Sequence, residues 1–145
     1  TPDVLEPLAV GAIRTIFTGR LDHRYAPGAL AAMDVLVVPS ILDEAFGMVA
    51  AEGAAAGALP LVARHSGLAE VATALEAATG HPGRFSFERA GGAARVLCEG
   101  IGRLLALAAE ERAALRAAVR SFVVSEWSWR RTAERLLAAA PAGSA

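Results

Sequence analysis

After Asp34 comes Val-Leu-Val-Val38, an unbroken aliphatic, mostly β-branched run stopped by Pro39. A run without polar alternation suits a strand covered on both faces, as in a parallel sheet. Two further runs flank it. Arg14-Thr-Ile-Phe-Thr18 is closed by Gly19, and Leu59-Pro-Leu-Val-Ala63 carries Pro60, which a strand tolerates only near its start. Alanine-rich stretches at residues 27–33, 47–56 and 67–79 are long enough for helices. Strands alternating with helices at this spacing predict βαβ units and an α/β fold: a Rossmann-like parallel sheet flanked by helices.

The second half reads differently. A Gly/Pro-rich passage at residues 80–84 precedes a short strand candidate at 85–87. Residues 93–107 and 110–124 then place apolar side chains three and four apart, with arginines on the other face. Glu110 and Glu111 complement the dipole at a helix start. Ser128 can cap a last helix through Leu137, and residues 141–145 read as a frayed tail. The C-terminus is therefore expected to be helical.

Composition limits the function. The 145 residues suit one domain spanning the chain, and 54% apolar against 20% charged residues can fill a core. A net charge of −1 argues against a nucleic-acid partner, which would demand a basic surplus. All 14 basic residues are arginine, so chemistry built on lysine is excluded. The lone Cys98 forms no intramolecular disulfide and reads as a buried, small apolar residue. The N-terminus has no basic-then-apolar signal pattern, and no apolar run is long enough to span a bilayer. The expected location is the cytoplasm, either free or peripheral at the inner face of the membrane.

Residues 39–52 read Pro-Ser-Ile-Leu-Asp-Glu-Ala-Phe-Gly-Met-Val-Ala-Ala-Glu. They follow the end of a buried strand, where open parallel sheets bind ligands. A helix expected to begin near Gly47 presents free N–H groups and a positive dipole end there. Gly47 lets backbone approach an anion closely. Glu44 in the loop and Glu52 about a turn into the helix add two carboxylates, each able to accept from neighbouring hydroxyls. A nucleotide sugar, with one diphosphate and two polyol rings, fits that layout. On their own, Glu44 could equally be a dipole partner and Glu52 a solvated helix residue.

The wider context resembles the group 1 glycosyltransferases of the GT-B fold. Glu44-Ala-Phe-Gly-Met-Val-Ala-Ala-Glu52 is similar to the Glu-x7-Glu motif of their retaining members, and Pro39-Ser40 precedes it as in that family. Gly57, Pro60 and Leu61-Val62 follow in the family order, and Ser66-Gly67-Leu68-Ala69-Glu70 resembles its Gly-Gly-hydrophobic-x-Glu loop. Ile16-Phe17-Thr18-Gly19-Arg20 resembles a family strand ending in glycine. Gly83-Arg84-Phe85 is similar to its Gly-x-Gly-Phe strand, and the stretch around Trp127 and Trp129 to its Phe-Ser-Trp and final helix.

The resemblance implies a donor-binding domain for a nucleoside-diphosphate sugar, with no metal and no cofactor. It puts Glu44 against the transferred sugar and Glu52 on the ribose hydroxyls. Backbone around Phe46, Gly47, Met48 and Val49 would lie near the diphosphate, and Gly19 and Arg20 near the base. Ser40 and Gly67 complete the expected donor site.

Two departures accompany it. The family's Gly-Arg…Lys-Gly stretch, which clamps the diphosphate, has no counterpart here, so the chain reads as the C-terminal half of a GT-B fold cut short of its first strands. The acceptor would sit on an absent N-terminal domain, the piece alone would be inactive, and the truncated sheet would offer an edge for self-association. Ser66 replaces a family glycine, a mild change for a turn. A non-catalytic nucleotide- or partner-binding α/β module, or part of a GT-B nucleotide-sugar epimerase, remain alternative readings.

Other residues have plainer readings. His65 is a loop histidine with a partner, or else a phosphate contact. His23 reads as a surface residue with a weak base-site alternative, and His81 as a turn residue. Asp43 could pair with an arginine. Glu70 either caps a helix or joins the site. Trp127 and Trp129 read as core or domain packing rather than sugar platforms, and Gly53 and Gly57 as close-packing and capping glycines.

Overall fold

The computed structural model describes Ile16, residues 18–89 and residues 91–140. The strand expected at 14–18 lies, apart from Ile16 and Thr18, outside the described residues, as does the tail at 141–145. The described elements run α1 (Ala26–Ala31), β1 (Val35–Val38), α2 (Met48–Ala56), β2 (Leu59–Ala63), α3 (Ser66–Thr79), β3 (Ser86–Phe87), α4 (Ala93–Leu105), α5 (Ala109–Glu126) and α6 (Trp129–Ala139).

The strands form a parallel sheet in the order β1-β2-β3. Val35 pairs with Leu59 and Val38 with Val62, while Val62 pairs with Ser86 and Ala63 with Phe87. Helices α2 and α3 are thus the crossovers of two βαβ units. Side-chain alternation sorts the layers. Leu36 of β1 meets Gly53 of α2, and Leu61 of β2 meets Gly100 of α4. Helix α4 therefore packs on the face opposite α2, and α5 lies over α2 and α3. At both contacts a glycine lets the helix backbone come closer to the sheet than any side chain would allow.

The strand buried on both faces is β2, not β1. All five β2 residues are buried, whereas Val35, Leu36 and Val37 are only half covered. Among the described residues β1 is an edge strand, so its apolar run is covered less fully than its composition suggests. Pro60 is the second residue of β2. Leu59 donates to Asp34 O on the β1 side, while Val62 and Arg64 donate to Phe85 O and Phe87 O on the β3 side. Residue 60 faces the β3 side before β3 begins, so its missing N–H removes no ladder bond.

The helix ends follow the expected chemistry. Gly57 (φ +99°) and Gly80 (φ +71°) close α2 and α3 in the left-handed conformation. Ser128 Oγ accepts from the Arg131 amide at the start of α6. The arginines of α5 are not all on a solvent face. Arg116 donates to Gly57 O (2.5 Å), Asp34 Oδ1 (3.1 Å) and Met33 O (3.3 Å), and Arg120 donates to Ala55 O (3.1 Å). Two guanidinium groups thus satisfy carbonyls at the negative end of α2.

Cys98 is exposed, against the expectation of burial. Leu97, Gly100, Ile101 and Leu104 take the inward stripe of α4, which turns position 98 outward. Trp129 is likewise no core residue; it is 82% exposed. Among the described residues no helix is long and apolar enough to cross a membrane.

Candidate functional site

Strands β1 and β2 end side by side, so the loops that follow them share the carboxyl edge of the sheet. The loop after β1 leads into α2, and His65 leads directly into α3. Gly47 precedes α2 at φ +96°, and a Cβ there would lie 2.6 Å from Leu68 Cδ2. Only glycine meets both conditions. The first α2 amides have no carbonyl one turn earlier to bond. Met48 and Val49 beside them are each 50% exposed.

The two loops are fastened together around Glu44. Its amide donates to Ser66 Oγ at 3.0 Å, and its carbonyl accepts from the Gly67 amide at 2.8 Å. A Cβ on Gly67 would sit 2.5 Å from Ala45 C and Phe46 N, so the loop backbone lies directly on the α3 start. His65 completes the fastening. Its Nε2 lies 2.8 Å from Ser40 O and its Nδ1 3.1 Å from Ser66 Oγ. Asp43 Oδ1 stands 3.3 Å from the same Nδ1, so the partner of Asp43 is a histidine and not an arginine. Ser40, Glu44 and Gly67 are therefore brought into one bonded cluster. Glu44 is half-buried, and among the described residues its carboxylate has no hydrogen-bond partner.

Glu52 is exposed on the second turn of α2. It lines a groove of about 300 Å³ with Phe46, Met48, Trp127 and Trp129. It also lines a second groove of about 390 Å³ with His23, Pro27 and Leu30. His23 is shared in turn with a depression of about 350 Å³ that includes Arg20. Glu52 thus lines both grooves, and His23 both the second groove and the depression. Arg20 and Gly19 are exposed and precede α1, and Arg20 lines the depression. Phe46 anchors the first groove. Its ring meets Trp127 edge-on at 5.1 Å and 85°, and Trp127 meets Phe122 at 5.3 Å and 79°. Trp127 is therefore a packing residue.

Glu70 is exposed on the second turn of α3, beyond capping range. His81 is a turn residue whose amide donates to Glu76 O and whose carbonyl accepts from Arg84.

The backbone conformation of one residue and the role of another escaped sequence reasoning. Ser66 adopts φ +46°, in the region that favours glycine. Its place in a Gly-Gly-like loop is a signal of that conformation. Glu76 is the other. It is 6% exposed and accepts from the Phe85 amide (3.2 Å), the Ser86 hydroxyl (2.9 Å) and Arg64 (3.3 Å). Burial alone would raise its pKa, but the bonds from Gly83, Ser86, Phe85 and Arg64 together bring it below the usual glutamate value. This carboxylate fixes the α3–β3 junction.

The arrangement offers a helix start bare of side-chain caps at the carboxyl edge of a parallel sheet, a carboxylate on either side of it and an aromatic-lined groove beside it. The family model described as glycosyl transferases group 1 matches residues 9–122, most of the chain and all of the Glu44–Glu52 segment. No curated protein and no solved structure matched it. On the strength of that match, the chain belongs to the group 1 glycosyltransferases.

Proposed function

We propose that the chain is the donor-binding part of a retaining glycosyltransferase that uses a nucleoside-diphosphate sugar. The observation that carries this reading is the pair Glu44 and Glu52 on either side of the glycine-led α2 start. The helix start suits a diphosphate, through free amides and the dipole. Glu52 lines the groove beside His23, where an exposed carboxylate can accept from both ribose hydroxyls. Glu44 faces the transferred sugar, with Ser40 and Gly67 holding its loop. Arg20 and Gly19 lie toward the base, with Arg20 in the depression that His23 also lines.

In this reaction the bond between the anomeric carbon and the diphosphate oxygen breaks, and the nucleoside diphosphate leaves with the electron pair. The acceptor hydroxyl oxygen bonds the same carbon from the same face, and its proton passes to the departing phosphate. The amides around Phe46 to Val49 stabilise the charge that develops on that phosphate. The acceptor is held by a second domain facing the donor.

Calorimetric titration with UDP, ADP and GDP tests the reading. One nucleotide should bind, and Glu52→Gln should weaken it about tenfold, the weight of a charged hydrogen-bond acceptor. Absence of binding to all three, or unchanged affinity in the variant, would overturn the assignment.

A further inference from the structure

Ser66 keeps a Cβ at φ +46°, a conformation that disfavours every residue except glycine and, less strongly, asparagine and aspartate. Serine there must be held by something glycine lacks, and the hydroxyl supplies it. A carbonyl can only accept, so the 2.8 Å contact to Ser40 O puts a proton on His65 Nε2. Nδ1 on the other side of the ring lies 3.1 Å from Ser66 Oγ and 3.3 Å from Asp43 Oδ1. Ser66 Oγ in turn accepts from the Glu44 amide. The contacts form one connected chain: Glu44 N–H to Ser66 Oγ, Ser66 Oγ to His65 Nδ1, His65 Nε2–H to Ser40 O. The His65 side chain is 11% exposed, so water competes little for the ring. The two ends of the chain are residues 40 and 44 of the same loop.

We infer that Ser66, oriented by His65, is a positioning residue that fixes the Glu44 backbone so that the Glu44 carboxylate is presented to the donor sugar. What the carboxylate then meets rests on the donor reading above; the fastening itself does not. The second carboxylate, Glu52, stands on a helix that this chain of bonds does not touch. Ser66 should therefore govern the sugar-dependent part of binding and leave the nucleotide part alone.

Two substitutions separate position from stability. Ser66→Gly removes the hydroxyl and relieves the backbone, whereas Ser66→Ala removes the hydroxyl and keeps the unfavourable φ. Melting temperature should be higher for the glycine variant than for the alanine variant. Amide hydrogen exchange at Glu44 should nonetheless quicken in both, by about fivefold, the weight of one ordinary hydrogen bond. Titration with UDP-, ADP- and GDP-glucose against the matching diphosphates gives the sugar-dependent ratio of Kd values. In both variants that ratio should shift as it does in Glu44→Gln, with the diphosphate Kd unchanged. Unaltered Glu44 exchange in Ser66→Gly would overturn the inference, as would faster exchange with an unaltered ratio. If the wild-type chain binds no nucleotide, the donor reading fails, and the exchange measurement alone decides whether Ser66 holds Glu44.

Discussion

The Gly67 amide donates to the Glu44 carbonyl at 2.8 Å, across a gap too narrow for a methyl group. Backbone, not side chain, bounds that gap, so neither neighbour can rotate away. Gly67→Ala should cost about 1–3 kcal/mol in urea unfolding, as overpacking does where the surroundings cannot yield. It should also displace residues 44–46 and lower nucleotide affinity. A variant with wild-type stability and affinity would show that the loop can give way.

Glu76 ties the fold to pH. Its carboxyl is held below the ordinary glutamate value of 4.5 because the donors around it outweigh its burial. A depressed folded value means that the ionised group stabilises the fold above about pH 4.5, and that this contribution is lost as pH falls through the folded value. Glu76→Gln should therefore cost about 1–3 kcal/mol at pH 7. The gap between variant and wild type should narrow in unfolding curves taken below pH 4.5. A constant gap would assign the loss to shape alone.

The two tryptophans should part company. Trp127→Ala removes the edge-on contacts to Phe46 and Phe122 and should cost about 2–3 kcal/mol. Trp129→Ala, at an exposed position, should stay within about 0.5 kcal/mol. In single-tryptophan variants, Trp127 should emit at the shorter wavelength. Its emission should shift when nucleotide binds beside Phe46, and equal spectra would contradict the packing described.

Cys98 should react with a thiol reagent in the folded protein as fast as a free peptide cysteine, to within about tenfold, since it faces solvent. Reaction only in denaturant would bury it after all.

Much of this was legible in the chain. The β-branched run at 34–38, the glycines at 47, 57 and 80 and the cap at Ser128 carry local rules, and each element they predicted is found within a few residues. The Glu44 and Glu52 positions were legible too, because a strand end and a helix start fix where residues between them must lie. What escaped was tertiary. Glu76 looks like any polar helix residue until the chain entering β3 turns the Phe85 amide and the Ser86 hydroxyl onto it. Cys98 and Trp129 have apolar character but lie off the stripe that packing selects. The hand of Ser66 and its bond to Glu44 join positions 22 apart, which no local pattern encodes.

Pro60 has a consequence beyond its own strand. Residue 60 looks toward the third strand, yet pairing on that side starts at Val62. Among the described residues the sheet is a two-strand ribbon at one end and broadens to three at the other. An ordinary residue at 60 would aim an N–H into the narrow end, where no strand stands to accept it and the position is buried. Proline has no such hydrogen to strand, so the ribbon's unpaired flank carries one donor fewer, and the full width of the sheet falls at the margin where the two loops meet.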